Sequence, residues 1–126
     1  MAGSIVMKIL IVDDSVFAQR YTEKQILGKC PDAELIFASS GEEGYRQYKE
    51  QKPDYVITDL LMPGIGGQRM ISMIREYDAD SKIIVLSSDI QRAVKQEVEQ
   101  LGIIMFLNKP LDEEKSIILA NIFRGR

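Results

Sequence analysis

The 126-residue chain has no histidine, no tryptophan, one cysteine and four prolines. The histidine and cysteine shortages each exclude something. Without histidine the chain cannot assemble a Ser-His-Asp triad, use a histidine general base or carry its own phosphohistidine, so a phosphohistidine donor has to come from a partner. Cys30 alone cannot close an internal disulfide, and no CxxC or Cys/His cluster offers a zinc site. It reads as a reduced thiol in a cytoplasmic protein. No apolar run approaches the roughly 20 residues that span a bilayer. The N-terminal run is interrupted by Lys8 and ends in two aspartates, which makes a poor signal peptide. Positive charge is short as well: 16 Lys and Arg against 19 Asp and Glu leave a formal charge of −3. With no basic run, neither nucleic acid nor a membrane surface is an expected partner.

What is present is a repeated alternation of short β-branched runs and helical stretches. Strands are expected near Lys8–Val12, Glu34–Ala38, Asp54–Thr58, Lys82–Ser87 and Ile103–Leu107. Four are almost wholly apolar, as central parallel strands covered on both faces should be. The intervening segments are long enough for right-handed crossover helices, which predicts an α/β fold: a doubly wound five-stranded parallel sheet, (βα)5, in the order 2-1-3-4-5. Met70, Ile71 and Ile74 form one inward stripe, and Val94, Val98 and Leu101 another that Gly102 ends. Tyr45 and Tyr48 mark the buried side of a helix closed at Lys52-Pro53. The first helix, from Ser15 to about Leu27, is weakly patterned, with Gln25 where an apolar residue would be wanted. Ile118, Leu119 and Ile122 should pack inward from the last helix. Residues 1–6 are expected to be a disordered leader ahead of a single domain over 7–124, with Met7 an alternative start.

The chemistry gathers where the strands end. Asp13-Asp14, Asp59, Ser87 and Lys109-Pro110 each follow or close an apolar run, so a parallel sheet would bring them to its carboxyl edge, where such sheets hold ligands. Any one of these aspartates alone reads as a solvated turn former. Three acids together with a lysine do not. At an effective dielectric of 20, two carboxylates about 4 Å apart repel by about 4 kcal/mol, so the cluster should take up a cation or a proton. Oxygen donors without histidine or thiolate suit Mg²⁺, supplied by Asp13 or Asp14 with Asp59. Asp59 is the candidate nucleophile toward phosphorus. The Lys109 ammonium and the Ser87 hydroxyl are placed to meet phosphoryl oxygens, and a cis Lys109-Pro110 bond could aim the lysine inward. Met62 to Gly67 reads as a flexible turn after the nucleophile, and Phe106 as core or as a movable aromatic near Lys109.

Asp13-Asp14-Ser15, Thr58-Asp59-Leu60-Leu61-Met62-Pro63, Ser87 and Lys109-Pro110 together resemble the receiver domain of bacterial two-component response regulators, in its single-domain chemotaxis form. The resemblance runs from about Met7 to Phe123. It implies that Asp59 is the phosphoacceptor. Asp13, Asp14, Asp59 and the Leu61 backbone carbonyl would be Mg²⁺ ligands, Ser87 and Phe106 the switch pair, and Lys109 the lysine that serves the phosphoryl group. It further implies a histidine kinase as donor and a downstream protein target on the face of helix 4, strand 5 and helix 5. Gly66 departs from the family by standing where the loop often has Asp, and Phe106 lacks a tyrosine hydroxyl. Leu61 and Asp89 fall at two variable positions bordering the acceptor. Other readings are a receiver cut from a longer protein, a small Mg²⁺-dependent phosphatase with an aspartyl intermediate, and a flavin-binding protein of the same strand order. The phosphatase would want an acid where Leu61 stands, and Asp13-Asp14 would repel a flavin phosphate.

Overall fold

The computed structural model describes residues 7–88 and 91–125, so the expected leader at 1–6 and the variable position Asp89 lie outside the described residues. Five strands, β1 (Lys8–Val12), β2 (Glu34–Ala38), β3 (Tyr55–Thr58), β4 (Ile83–Ser87) and β5 (Met105–Asn108), alternate with five helices. The helices are α1 (Val16–Lys29), α2 (Gly41–Gln51), α3 (Gly66–Tyr77), α4 (Arg92–Glu99) and α5 (Glu113–Phe123). The sheet runs β2-β1-β3-β4-β5 with all neighbours parallel.

Alternate residues of each strand face opposite sides, and two cores result. Leu10, Val12, Val56, Ile83 and Val85 face Tyr48 of α2, Met70, Ile71 and Ile74 of α3 and Val98 of α4. Ile9, Ile11, Ile57, Ile84, Leu86 and Leu107 face Ile26 of α1 and Leu119 and Phe123 of α5. Each fully buried Ile, Leu or Met contributes about 1.5–3 kcal/mol by leaving water, so these periodic positions fix which helix covers which face. Caps set the ends. Ser15 accepts from the Ala18 N–H, Ser40 from the Glu43 N–H and Asp112 from the Lys115 N–H. Lys52 closes α2 in the left-handed region at φ 50°.

Some boundaries differ from the sequence reading. β3 and β4 each begin one residue later, at Tyr55 and Ile83. β5 begins at Met105 rather than Ile103, because it pairs with β4 alone and the ladder opens at Ile84↔Met105; Ile104 is exposed. α1 runs to Lys29, closed by the Cys30 N–H on the Ile26 carbonyl. Its buried residues are Gln19, Thr22 and Ile26, so polar side chains occupy part of the inward face, and Gln25 is half-buried. In α5 the inward residues are Ser116, Leu119, Ala120 and Phe123, while Ile118 and Ile122 are only half-buried. Helical spacing from Leu119 selects Ser116 and Phe123, and the Ser116 hydroxyl is satisfied by donating to the Asp112 carbonyl at 2.7 Å. α3 starts at Gly66, so the loop after β3 is shorter than the glycine run suggested.

Candidate functional site

Register builds the site. Val12 is paired with Ala38 on one side and Thr58 on the other, so the residues that follow, Asp13 and Asp59, leave adjacent strands at one level. The ladder extends one step further on each: the Asp13 N–H donates to the Ala38 carbonyl at 3.0 Å and the Asp59 N–H to the Val12 carbonyl at 3.0 Å. On the far side Ser87 pairs with Asn108, and the Lys109 N–H donates to the Ser87 carbonyl at 3.0 Å. Lys109, joined to Pro110 by a cis peptide, reaches back across the edge. Its Nζ donates to Asp13 Oδ2 at 2.8 Å and to Asp59 Oδ2 at 2.9 Å.

Both carboxylates are buried, Asp13 at 6% and Asp59 at 7% exposure, and their second oxygens are occupied too. Asp13 Oδ1 accepts from the Ser15 N–H at 2.9 Å, while Asp59 Oδ1 accepts from the N–H groups of Leu60 at 2.6 Å and Leu61 at 3.3 Å. Burial acts to lower the pKa of the Lys109 ammonium. The hydrogen bonds it donates to Asp13 and Asp59, and then their charges, outweigh that and hold it above the ordinary lysine value. The lysine is therefore held as a cation between the two side chains.

The loop after Asp59 is held close. The Gly67 N–H donates to the Leu60 carbonyl at 3.0 Å, and a Cβ on Gly67 would run into the backbone carbonyl of Asp59. Only glycine fits there. Ser87 is fully buried at the end of β4. Phe106 is half-buried on β5 and packs on the α2–α4 side, with the Lys95 ammonium of α4 5.8 Å from its ring centre. The Leu61 side chain is 59% exposed at the mouth of the site, where Val16 and Phe17 at the start of α1 are also exposed.

The sequence pointed to three converging acids, and the structure gathers two. Asp14 is exposed, and among the described residues no group of three Asp, Glu, His or Cys side chains stands close enough to hold a metal ion. The physical reason is that successive residues beyond a strand turn in different directions; the Lys109 ammonium stands between the two acids that do meet and leaves them a formal net charge of about −1 rather than −2.

The family model described as the response regulator receiver domain matches residues 9–121. The chain belongs to the response regulator receiver family. This receiver is 35% identical to the chemotaxis protein CheY of Thermotoga maritima over 114 residues, 90% of this chain and 94% of that one. It is 33% identical over 105 residues to protein-glutamate methylesterase/protein-glutamine glutaminase 3 of Geobacter sulfurreducens, covering 82% of this chain but 28% of that longer protein. Among solved structures, CheY in the CheX–CheY–BeF3–Mg²⁺ complex of Borrelia burgdorferi superposes with a TM-score of 0.83 at 29% identity, covering 95% of this chain and 90% of that one. The fold is thus the flavodoxin-like one of CheY, and the domain is a CheY-like signalling module of two-component systems. Among the described residues no helix of the receiver is long and apolar enough to cross a membrane.

The donor set suits a hard divalent cation. It consists of carboxylate and carbonyl oxygens, and the pair keeps excess negative charge after Lys109 is counted. Sequence reasoning missed one residue of this edge, Gln19. Its amide donates to the Asp13 carbonyl at 2.7 Å. The available signal was a polar residue on a helix face that should have been apolar.

Proposed function

We propose that this receiver is an Mg²⁺-dependent phosphoacceptor switch, in which Asp59 takes a phosphoryl group from a phosphohistidine of a partner kinase and the domain then changes what it binds. The observation that carries the reading is the Lys109 ammonium shared between Asp13 Oδ2 and Asp59 Oδ2, because it places a cation beside a carboxylate that nothing else in the core requires to be buried. In the transfer, an Asp59 carboxylate oxygen attacks phosphorus and the P–N bond to the donor imidazole breaks. The imidazole nitrogen keeps the bonding electrons, and an acyl phosphate forms. Bound by Asp13, Asp14, Asp59 and the Leu61 carbonyl, Mg²⁺ would supply charge that offsets the phosphoryl oxygens.

The chain's own groups supply the rest. Lys109 offers its ammonium to one phosphoryl oxygen and the Ser87 hydroxyl serves another. The backbone bond between Lys109 and the Ser87 carbonyl couples the two strand ends. Phe106 lies between β5 and α4, so its rearrangement would carry the change to the α4–β5–α5 face, where we place the downstream target. The exposed apolar rim of Val16, Phe17 and Leu61 suits a protein donor more than a small anion. As such a module the domain promotes only its own phosphorylation and dephosphorylation, over residues 7–124 and in the cytoplasm.

The test is intact-mass measurement after incubation with Mg²⁺ and phosphoramidate. One added phosphoryl group on the wild type, and none on Asp59→Asn or in chelator, is expected. No adduct on the wild type, or the same adduct on Asp59→Asn, sinks the reading.

A further inference from the structure

We propose that Gln19 is a positioning residue for the cation and phosphoryl site, a role that rests on the receiver reading above and names a part of the site outside the acids and the lysine. Gln19 is buried to 3% exposure on the face of α1 that packs on the sheet. A buried amide is costly unless its hydrogens are used, and here they are shared among three oxygens. Nε2 lies 2.7 Å from the Asp13 carbonyl, 3.1 Å from Ser39 Oγ and 3.3 Å from the Ala38 carbonyl. Two of these belong to the end of β2 and the turn after it, and the third is the carbonyl of the peptide joining Asp13 to Asp14.

That peptide is the weak point of the edge. The β1 ladder ends at Val12, and beyond it only the Asp13 N–H continues the pairing, with the Ala38 carbonyl. The Ser15 N–H and Lys109 hold the Asp13 carboxylate, but the carbonyl of the Asp13–Asp14 peptide, and with it the direction of Asp14, needs a donor of its own. The Gln19 amide supplies that donor, tying the carbonyl to the same Ala38 oxygen and to Ser39. Ser39 is anchored in turn, its N–H donating to Glu43 Oε1 at 2.6 Å at the start of α2. A leucine at 19 would fill the volume and serve the core better, but it would leave the Asp13 carbonyl without this donor. The polar residue is explained by geometry at the edge, and not by packing.

Supporting groups of this kind change metal affinity by about 10- to 100-fold when removed. In the full chain, Gln19→Met keeps the length and loses the donor. Its Mg²⁺ dissociation constant, titrated calorimetrically, is expected to rise at least about 10-fold over wild type. A Gln19→Met protein that melts earlier yet binds Mg²⁺ with the wild-type constant overturns the role, because that is what simple packing would give. Should the variant not fold, the wild type decides: the Gln19 side-chain amide resonances must shift as Mg²⁺ is added. If they stay still while the backbone amides of Asp13 and Asp59 move, the proposal fails. A wild type that takes up no Mg²⁺ at all would remove the metal reading itself, an outcome distinct from either.

Discussion

Replacing Lys109 by methionine tests the electrostatic heart of the site. Asp13 Oδ2 and Asp59 Oδ2 lie 2.8 and 2.9 Å from one nitrogen, so they are less than about 6 Å apart. At an effective dielectric of 20 that separation corresponds to about 3 kcal/mol of repulsion once the ammonium is gone. Water entering beside a side chain that is 25% exposed relieves part of it, leaving an expected loss of about 2 kcal/mol in unfolding free energy at neutral pH without divalent ions. Two linkages distinguish this from a packing loss. First, millimolar Mg²⁺ should restore more stability to Lys109→Met than to wild type, since the variant pair binds cations with no ammonium competing. Second, the Lys109 pKa is raised on folding, so its contribution is fully present below the ordinary value of 10.5 and is lost as pH rises through the higher folded value. The gap between wild type and variant should therefore stay constant up to about pH 10 and close above it. Urea unfolding followed by circular dichroism reads all three. A loss under about 0.5 kcal/mol, a gap that Mg²⁺ leaves unchanged, or a gap that persists through the alkaline range would refute the account.

Leu61→Asn should shorten the lifetime of the phosphorylated form, because an exposed apolar side chain at the mouth is replaced by one that can hold water in line with the acyl phosphate; decay of the mass adduct measures it, and an unchanged or longer lifetime counts against the idea. Gly67→Ala should destabilise the domain by about 3 kcal/mol or more, since its Cβ runs into the Asp59 backbone carbonyl and cannot be accommodated by a flexible neighbour; thermal melting would show it. Tyr48→Phe removes a 2.6 Å hydrogen bond to Asp78 Oδ2 and should cost about 1 kcal/mol at neutral pH. Burial and then the Asp78 hydrogen bond raise the Tyr48 pKa, so that contribution is present below the ordinary value of 10.0 and fades only at higher pH.

The parts of this protein legible in its sequence are those that follow from period and register. Met70, Ile71 and Ile74 are each fully buried, as their spacing requires. Asp13, Asp59 and Lys109 meet because each directly follows a strand, and a parallel sheet levels its strand ends without reference to anything else. What the sequence hid depends on particular neighbours. Asp14 immediately follows Asp13, yet successive residues beyond a strand turn in different directions, and Asp14 is exposed. The β5 start moved because an edge strand has one ladder to hold it: the Ile104 N–H already donates to the Ile83 carbonyl at 2.8 Å, but the paired register opens only at Ile84↔Met105. Gln19 was illegible for a different reason. A buried amide is determined by which carbonyls happen to face it, and those belong to residues 13 and 38 rather than to its own helix.

One consequence of the lysine bridge reaches beyond the site. Phosphorylating Asp59, as proposed, would replace a carboxylate already bonded to Lys109 with a phosphoryl group of greater charge placed farther from the backbone. The ammonium would then have the new oxygens as well as Asp13 to serve, from a backbone whose N–H donates to the Ser87 carbonyl. Either Lys109 leaves Asp13, or the ends of β4 and β5 shift together. The second course moves Ser87 and, on β5, Phe106, whose ring packs beneath Lys95 of α4. A ligand shifts a conformational equilibrium only by its difference in affinity for the two states. On the proposed reading the bridge would provide such a difference, since the unmodified site satisfies its lysine in one arrangement and the modified site would satisfy it in another.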